Sequence, residues 1–300
     1  MCISKSKIYF LLITGIVVSV FLVSCNSPEE NVIDDPTTIY TIIREDTTAG
    51  IDMVGERTNP MEVRKRIFAS EIPETTFEEK RKTFYAILDT LYKLKTRENE
   101  YIYYEVDSLN YLAIHYLKNI LLDKKSRITP LKHKMLNQTI ASDKNFSVYY
   151  WEENIGVDIP TTISVYQCRD RNGILYSFFN MENEEKNDFN FSTSRITGIY
   201  KLNAANGKLL YLLNFEGCTD NEYCFKGSTI AEITEEGLTF NYNSFGEGVE
   251  YFFENYAGGE KLTVSYNQTV KTLTYKLFTT LNNPQQKVFF FNGGMFEEKE

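Results

Sequence analysis

From about Thr139 onward the chain is written in short runs of β-branched and aromatic residues, and nearly every run is bounded by a turn signal. Ser142-Asp143-Lys144-Asn145, Asp170-Arg171-Asn172-Gly173, Ala205-Asn206-Gly207, Glu235-Glu236-Gly237, Gly258-Gly259 and Asn282-Asn283-Pro284 punctuate it. Gly and Asn tolerate the positive φ of tight hairpins and Pro cannot continue a ladder, so these stretches close hairpins between antiparallel neighbours. Strands joined by short loops pair in sequence order. Residues 139–300 are therefore expected to form an antiparallel meander of about ten to twelve strands, closing as a barrel or folding over as a sandwich. The 21 Tyr and 21 Phe supply large rings for sheet faces.

A weaker pattern leaves a third architecture open. Val165-Tyr166, Asn172-Gly173 and Asn180 are matched by Ile199-Tyr200, Asn206-Gly207 and Asn214 at a constant offset of 34 residues. Repeats of that length build small β-propellers, and two hairpins of equal length sharing Asn-Gly turn chemistry give the same pattern.

Ahead of the β-region, residues 74–138 read as helical, which makes the whole an α+β chain. Thr76-Phe77-Glu78-Glu79 has the capping-box pattern, and Phe84, Ile87, Leu88, Leu91 and Leu94 follow at helical spacing. A second stripe, Leu109, Leu112, Ala113, Tyr116, Leu117, Ile120 and Leu121, predicts a helix opening near an Asp107 cap, with His115 on its flank.

The first residues have another character. Residues 1–24 contain Lys5 and Lys7, no acid, and a nearly continuous apolar run from Ile8 to Val23. That run is shorter than the roughly 20 residues a spanning helix needs, so it reads as a cleaved secretory signal, with a retained anchor as the alternative. The tetrad Leu22-Val23-Ser24-Cys25 resembles the lipobox of bacterial lipoproteins. The resemblance implies lipidation of the Cys25 thiol, cleavage before Cys25 and a membrane anchor of several acyl chains, one chain alone binding only marginally. Asn26, in the place where inner-membrane lipoproteins commonly carry Asp, favours the outer membrane by the same resemblance. Glu29-Glu30 is similar to the surface-export signal of Bacteroidetes lipoproteins and equally suits a solvated tether over residues 25–73. In texture the chain resembles uncharacterised surface lipoproteins of that type.

Loss of Lys5 and Lys7 with residues 1–24 takes the 32 basic residues to 30 against 41 acidic ones, moving the net charge from −9 to −11. Nucleic acid is a poor partner for such a chain, because phosphate binding needs concentrated Lys and Arg. Once Cys2 and Cys25 are set aside, Cys168, Cys218 and Cys224 remain. The spacing of Cys218 and Cys224 allows a local disulfide in an oxidising compartment, or two reduced thiols. Zinc-ligand spacing is missing around His115 and His133, so no metal and no cofactor is expected.

No nucleophile elbow, phosphate loop, zincin or dinucleotide fingerprint occurs, and no catalytic residue is assigned. Adjacent acids such as Glu152-Glu153 suit solvent, and a glycosidase needs acids converging from separate elements. In Phe146-Ser147-Val148-Tyr149-Tyr150-Trp151-Glu152-Glu153, strand alternation puts Tyr149, Trp151 and Glu153 on one face, a candidate platform for stacking on sugar rings. The single Trp of a β-domain is otherwise a core residue. The function expected is a lipid-anchored outer-membrane protein, periplasmic or surface-facing, that binds a glycan or an envelope protein without catalysis. A carboxylate-based envelope hydrolase and a structural or adhesive subunit are the alternatives.

Overall fold

The structure, a computed structural model, describes Ile67, Ile72 and residues 75–94, 102–153, 161–179, 194–218, 223–235, 237–240, 243–257, 259–279 and 284–299. The signal-like segment, Cys25 and most of the tether lie outside the described residues, as do Asn180 and Asn282-Asn283.

Helix α1 spans Phe77–Leu94 and opens on the capping box read from the sequence. Thr76 N–H donates to Glu79 Oε2 at 2.6 Å and Glu79 N–H donates to Thr76 Oγ1 at 3.3 Å, a reciprocal pair that satisfies two otherwise orphaned donors. Its stripe of Phe84, Ile87, Leu88, Leu91 and Leu94 is buried. Helix α2 spans Ile102–Leu122 and begins five residues earlier than the Asp107 cap predicts. Asp107 is a buried helix-interior residue, because Val106 already belongs to the apolar face that α2 presents to its neighbours. A short 3₁₀ turn, Lys124–Arg127, capped by Asp123, leads into the sheets.

Thirteen strands in the described residues form three antiparallel sheets, where the sequence predicted ten to twelve in one barrel or sandwich. The first sheet holds β1 (Asn137–Ile140), β2 (Phe146–Glu152), β3 (Thr162–Arg169) and β4 (Leu175–Phe179) in that order. The second holds β5 (Ser194–Asn203), β6 (Leu209–Cys218), β7 (Tyr223–Thr234), β8 (Gly237–Phe240) and β9 (Tyr251–Ala257). The third holds β10 (Lys261–Asn267), β11 (Thr272–Phe278), β12 (Gln285–Phe291) and β13 (Phe296–Glu298). Pairing in sequence order holds throughout except at β7. That strand is long enough for β8 to pair with residues 231–234 and β9 with residues 223–229 along one edge. At the junction Ile230 N–H donates to the buried Ser244 Oγ at 3.0 Å, so the unpaired backbone donor is not left orphaned.

The layers stack as helices, first sheet, second sheet, third sheet. Tyr149, Trp151, Ile163 and Val165 pack on the helices, while Phe146, Val148, Tyr166 and Cys168 from the same strands pack on the second sheet. Leu202, Leu210, Leu212 and Ile230 then meet Leu262, Leu273, Tyr275, Phe289 and Phe291 of the third. A sheet buried on both faces explains the continuous apolar character of β2 and β3. The far face of the third sheet carries Ser265, Thr274, Lys276 and Gln286 together with the exposed Phe278 and Phe290, and ends the stack on a mixed surface.

The 34-residue offset is resolved as turn chemistry. Its first copy is the β3–β4 hairpin and its second the β5–β6 hairpin, so it relates the third strand of one sheet to the first strand of the next. What the copies share is a glycine at positive φ, Gly173 at 80° and Gly207 at 71°, at the tip of each hairpin.

Candidate functional site

Trp151 is fully buried and Tyr149 is 3% exposed, so the platform read from the sequence is a core element. The alternation was right, but the face it defines is covered by the helices. Trp151 Nε1–H donates to Asn110 Oδ1 at 2.9 Å, and Asn110 Nδ2–H donates to the Glu153 carbonyl at 2.8 Å. Burial, followed by the proximity of Tyr85, pushes the Tyr149 hydroxyl up to about 12. The Glu153 carboxylate accepts from Thr161 Oγ1, which ties the two ends of the β2–β3 connection together.

Cys218 and Cys224 stand opposite each other in register on β6 and β7 and are bonded, with an S–S distance of 2.00 Å. Cys168 is free and buried, and burial followed by the charge of Asp170 pushes its thiol up to about 12. It is a core residue, not a nucleophile. His133 has a carboxylate partner, Nε2 lying 3.3 Å from Asp89 Oδ1. Its Nδ1 already accepts the Met135 N–H at 3.2 Å, and its ring stacks on Tyr85 at 5.6 Å between centroids. Both ring nitrogens are thus committed to holding the 131–136 segment on α1, and no free acceptor remains for general-base work. Among the described residues no three His, Cys, Asp or Glu side chains gather as a metal site. No helix there is long and apolar enough to cross a membrane.

One cleft opens at the end of the stack. Because the strands alternate in direction, the β3–β4 and β5–β6 tips fall at the same end of the stack. Arg171 reaches over the second tip, its guanidinium 3.7 Å from where a Cβ on Gly207 would sit. Between the tips and the end of β7 lies a cavity of about 300 Å³. Leu209 and Ile233 form its apolar floor, and Asp170, Arg171, Asn172, Asn206, Lys208, Glu232 and Glu235 supply its polar walls.

The walls are held by their own hydrogen bonds. Asp170 Oδ1 accepts the Ile174 N–H at 2.7 Å and closes the first tip. Tyr176 places its hydroxyl between the walls, donating to the Glu235 carbonyl at 2.7 Å and lying 3.4 Å from Asp170 Oδ2. Asn172 Nδ2–H donates to Glu235 Oε1 at 3.4 Å, and Lys208 Nζ pairs with Glu232 Oε2 at 2.8 Å. Arg171 is exposed and has no ion pair among the described residues. The result is a shallow, mixed-charge cleft in which amide, carboxylate, ammonium and guanidinium groups converge over an apolar floor. Sequence reading passed over this site because its members come from three separate turns. The Asn-Gly signals and Glu235-Glu236-Gly237 mark those turns singly, and nothing in the sequence brings them together.

No family model matches the chain, and none of the curated proteins searched matches it. Among solved structures it is similar to the periplasmic gluconolactonase of Pseudomonas aeruginosa, at 11% identity and a TM-score of 0.22, over 57% of this chain and 58% of that one. The chain thus spans less than two thirds of that protein, and a likeness at this level carries no argument about fold or activity.

Proposed function

We propose that this chain is a lipid-anchored cell-envelope protein whose stacked β-sheets bind a hydroxyl-rich ligand, an oligosaccharide or the end of a glycan, in the cleft between the hairpin tips. The anchor reading rests on the lipobox-like Leu22-Val23-Ser24-Cys25 and the apolar run before it. The binding reading rests on the convergence of donors and acceptors around the cleft, Asn172, Asn206, Glu235 and the exposed Arg171 above all. Sugar hydroxyls donate and accept at once, and such mixed walls meet both needs. A cavity of about 300 Å³ suits one or two sugar rings. A protein partner would instead need an extended surface of roughly 800 Å². The first and third sheets are four-stranded meanders and the second is a five-stranded sheet branched at β7, and an open stack of the three is the architecture we infer.

Asp170 spends both carboxylate oxygens within the fold and Glu232 pairs with Lys208, which favours binding over proton transfer. A hydrolase reading has one observation on its side, the three carboxylates lining a single cleft. The melting temperature of the full chain against a panel of soluble oligosaccharides tests the proposal. A ligand at 100 times its Kd stabilises by about 2.7 kcal/mol, and analysis of that glycan for cleavage products separates binder from hydrolase. A flat response across the panel contradicts the glycan reading. Incorporation of labelled palmitate that survives Cys25→Ala contradicts the anchor.

A further inference from the structure

We propose that Tyr223, Tyr251 and Phe253 form a second binding surface, at the opposite end of the second sheet from the cleft, that stacks on the flat faces of pyranose rings in a neutral polysaccharide. Register puts these residues on one face, with Gly227 opposite Phe253 and Thr229 opposite Tyr251 across β7 and β9. An aromatic ladder climbs out of the core to that face. Phe215 is 1% exposed, Phe225 8% and Phe253 42%, with ring centroids 6.3 Å apart at the first step and 6.2 Å at the second. Tyr251 then lies beside Phe253 at 6.0 Å with the two rings 29° from parallel. Tyr223, at the start of β7, is 53% exposed.

Two features argue for a sugar over other occupants. The rings are preset by the packing beneath them, so stacking costs little ordering, and ring–sugar contact needs only a flat apolar face. The face also offers hydrogen bonding without charge, through the exposed Asn255 amide in register opposite Phe225. A second copy of the chain is the poorer occupant. Two rings at 53% and 42% exposure offer far less than the roughly 800 Å² per partner that a stable dimer buries.

The test uses the purified full chain and four insoluble polysaccharides, namely cellulose, chitin, starch granules and xylan, with retention measured by sedimentation. Retention on at least one is expected, falling tenfold or more in Tyr223→Ala/Phe253→Ala and returning in Tyr223→Phe/Phe253→Tyr, which keeps the rings. Ile128→Ala, an exposed position outside both surfaces, should be retained like the parent. Retention that Asn172→Ala abolishes and Tyr223→Ala/Phe253→Ala spares would assign the polysaccharide to the cleft and overturn this surface, so the two stand or fall separately. Failure to sediment with any of the four, or retention indifferent to the double alanine substitution, overturns the proposal. So does self-association of the parent that the same substitution abolishes.

Discussion

Trp151 on β2 and Asn110 on α2 are joined side chain to side chain at 2.9 Å, with both residues fully buried. That bond fixes how the helical layer sits on the first sheet, because Asn110 also donates to the Glu153 carbonyl just beyond β2. Asn110→Leu would strand the indole N–H and that carbonyl in an apolar interface. The expected loss is about 3 kcal/mol of unfolding free energy, measured by urea denaturation. Because Trp151 is the single Trp, native fluorescence should resist acrylamide quenching. Ready quenching in the folded state would return Trp151 to the surface.

Acid stability follows from two carboxylates. Burial pushes Asp143 up, but the Asn145 N–H, the Tyr211 hydroxyl and Lys201 outweigh it and hold the group below the ordinary range. Glu216 behaves alike: burial raises it, while Lys226 at 2.8 Å and Arg195 at 2.6 Å pull it lower. A carboxylate lower in the folded state than in the unfolded one contributes stability above its unfolded pKa of about 4 and loses it as pH falls through the folded value. Unfolding free energy should therefore drop as pH is lowered below about 4, and Asp143→Asn with Glu216→Gln should flatten that slope. An unchanged slope in the double variant would remove these two groups from the account.

Gly227 is required by the aromatic ladder. A Cβ there would lie 2.3 Å from Phe215 Cζ and 2.7 Å from the Phe252 carbonyl, and the latter is backbone that cannot swing aside. Gly227→Ala should cost about 3 kcal/mol by overpacking. Gly259→Ala, where nothing lies within 4 Å but φ is +89°, should pay only for its backbone conformation. Equal losses at the two positions, read from thermal melts, would contradict the packing described around Phe215.

The cysteines separate by chemistry. Thiol titration of the folded, oxidised chain at neutral pH should find Cys168 unreactive, since it is buried with its thiol pushed up to about 12. Cys218→Ser should lower stability by roughly 2 kcal/mol, the amount expected for a loop this short. Rapid labelling of Cys168 before unfolding would sink the first statement.

Local signals carried the hairpins well and the layers poorly. The Thr76–Glu79 cap, the α1 stripe and the Asn-Gly tips depend on neighbours within a few residues, and each stands where the sequence places it. The number of sheets depends on which faces meet. Period-two alternation on β2 puts Tyr149 and Trp151 together but is silent on whether a helix or solvent lies against them. Asp107 misled for a similar reason: an acid inside a buried helix face reads from sequence as the cap of a shorter helix. The cleft was hardest, since Asp170, Lys208 and Glu235 meet only after three turns converge.

The cleft carries the proposed glycan binding. Screening the full chain on a glycan array, alongside Asn172→Ala and Arg171→Ala variants, tests it most directly. The account predicts binding to a restricted set of glycans that weakens by tenfold or more, about 1.4 kcal/mol, when either side chain is removed. Binding to none, or binding untouched by both substitutions, would contradict it.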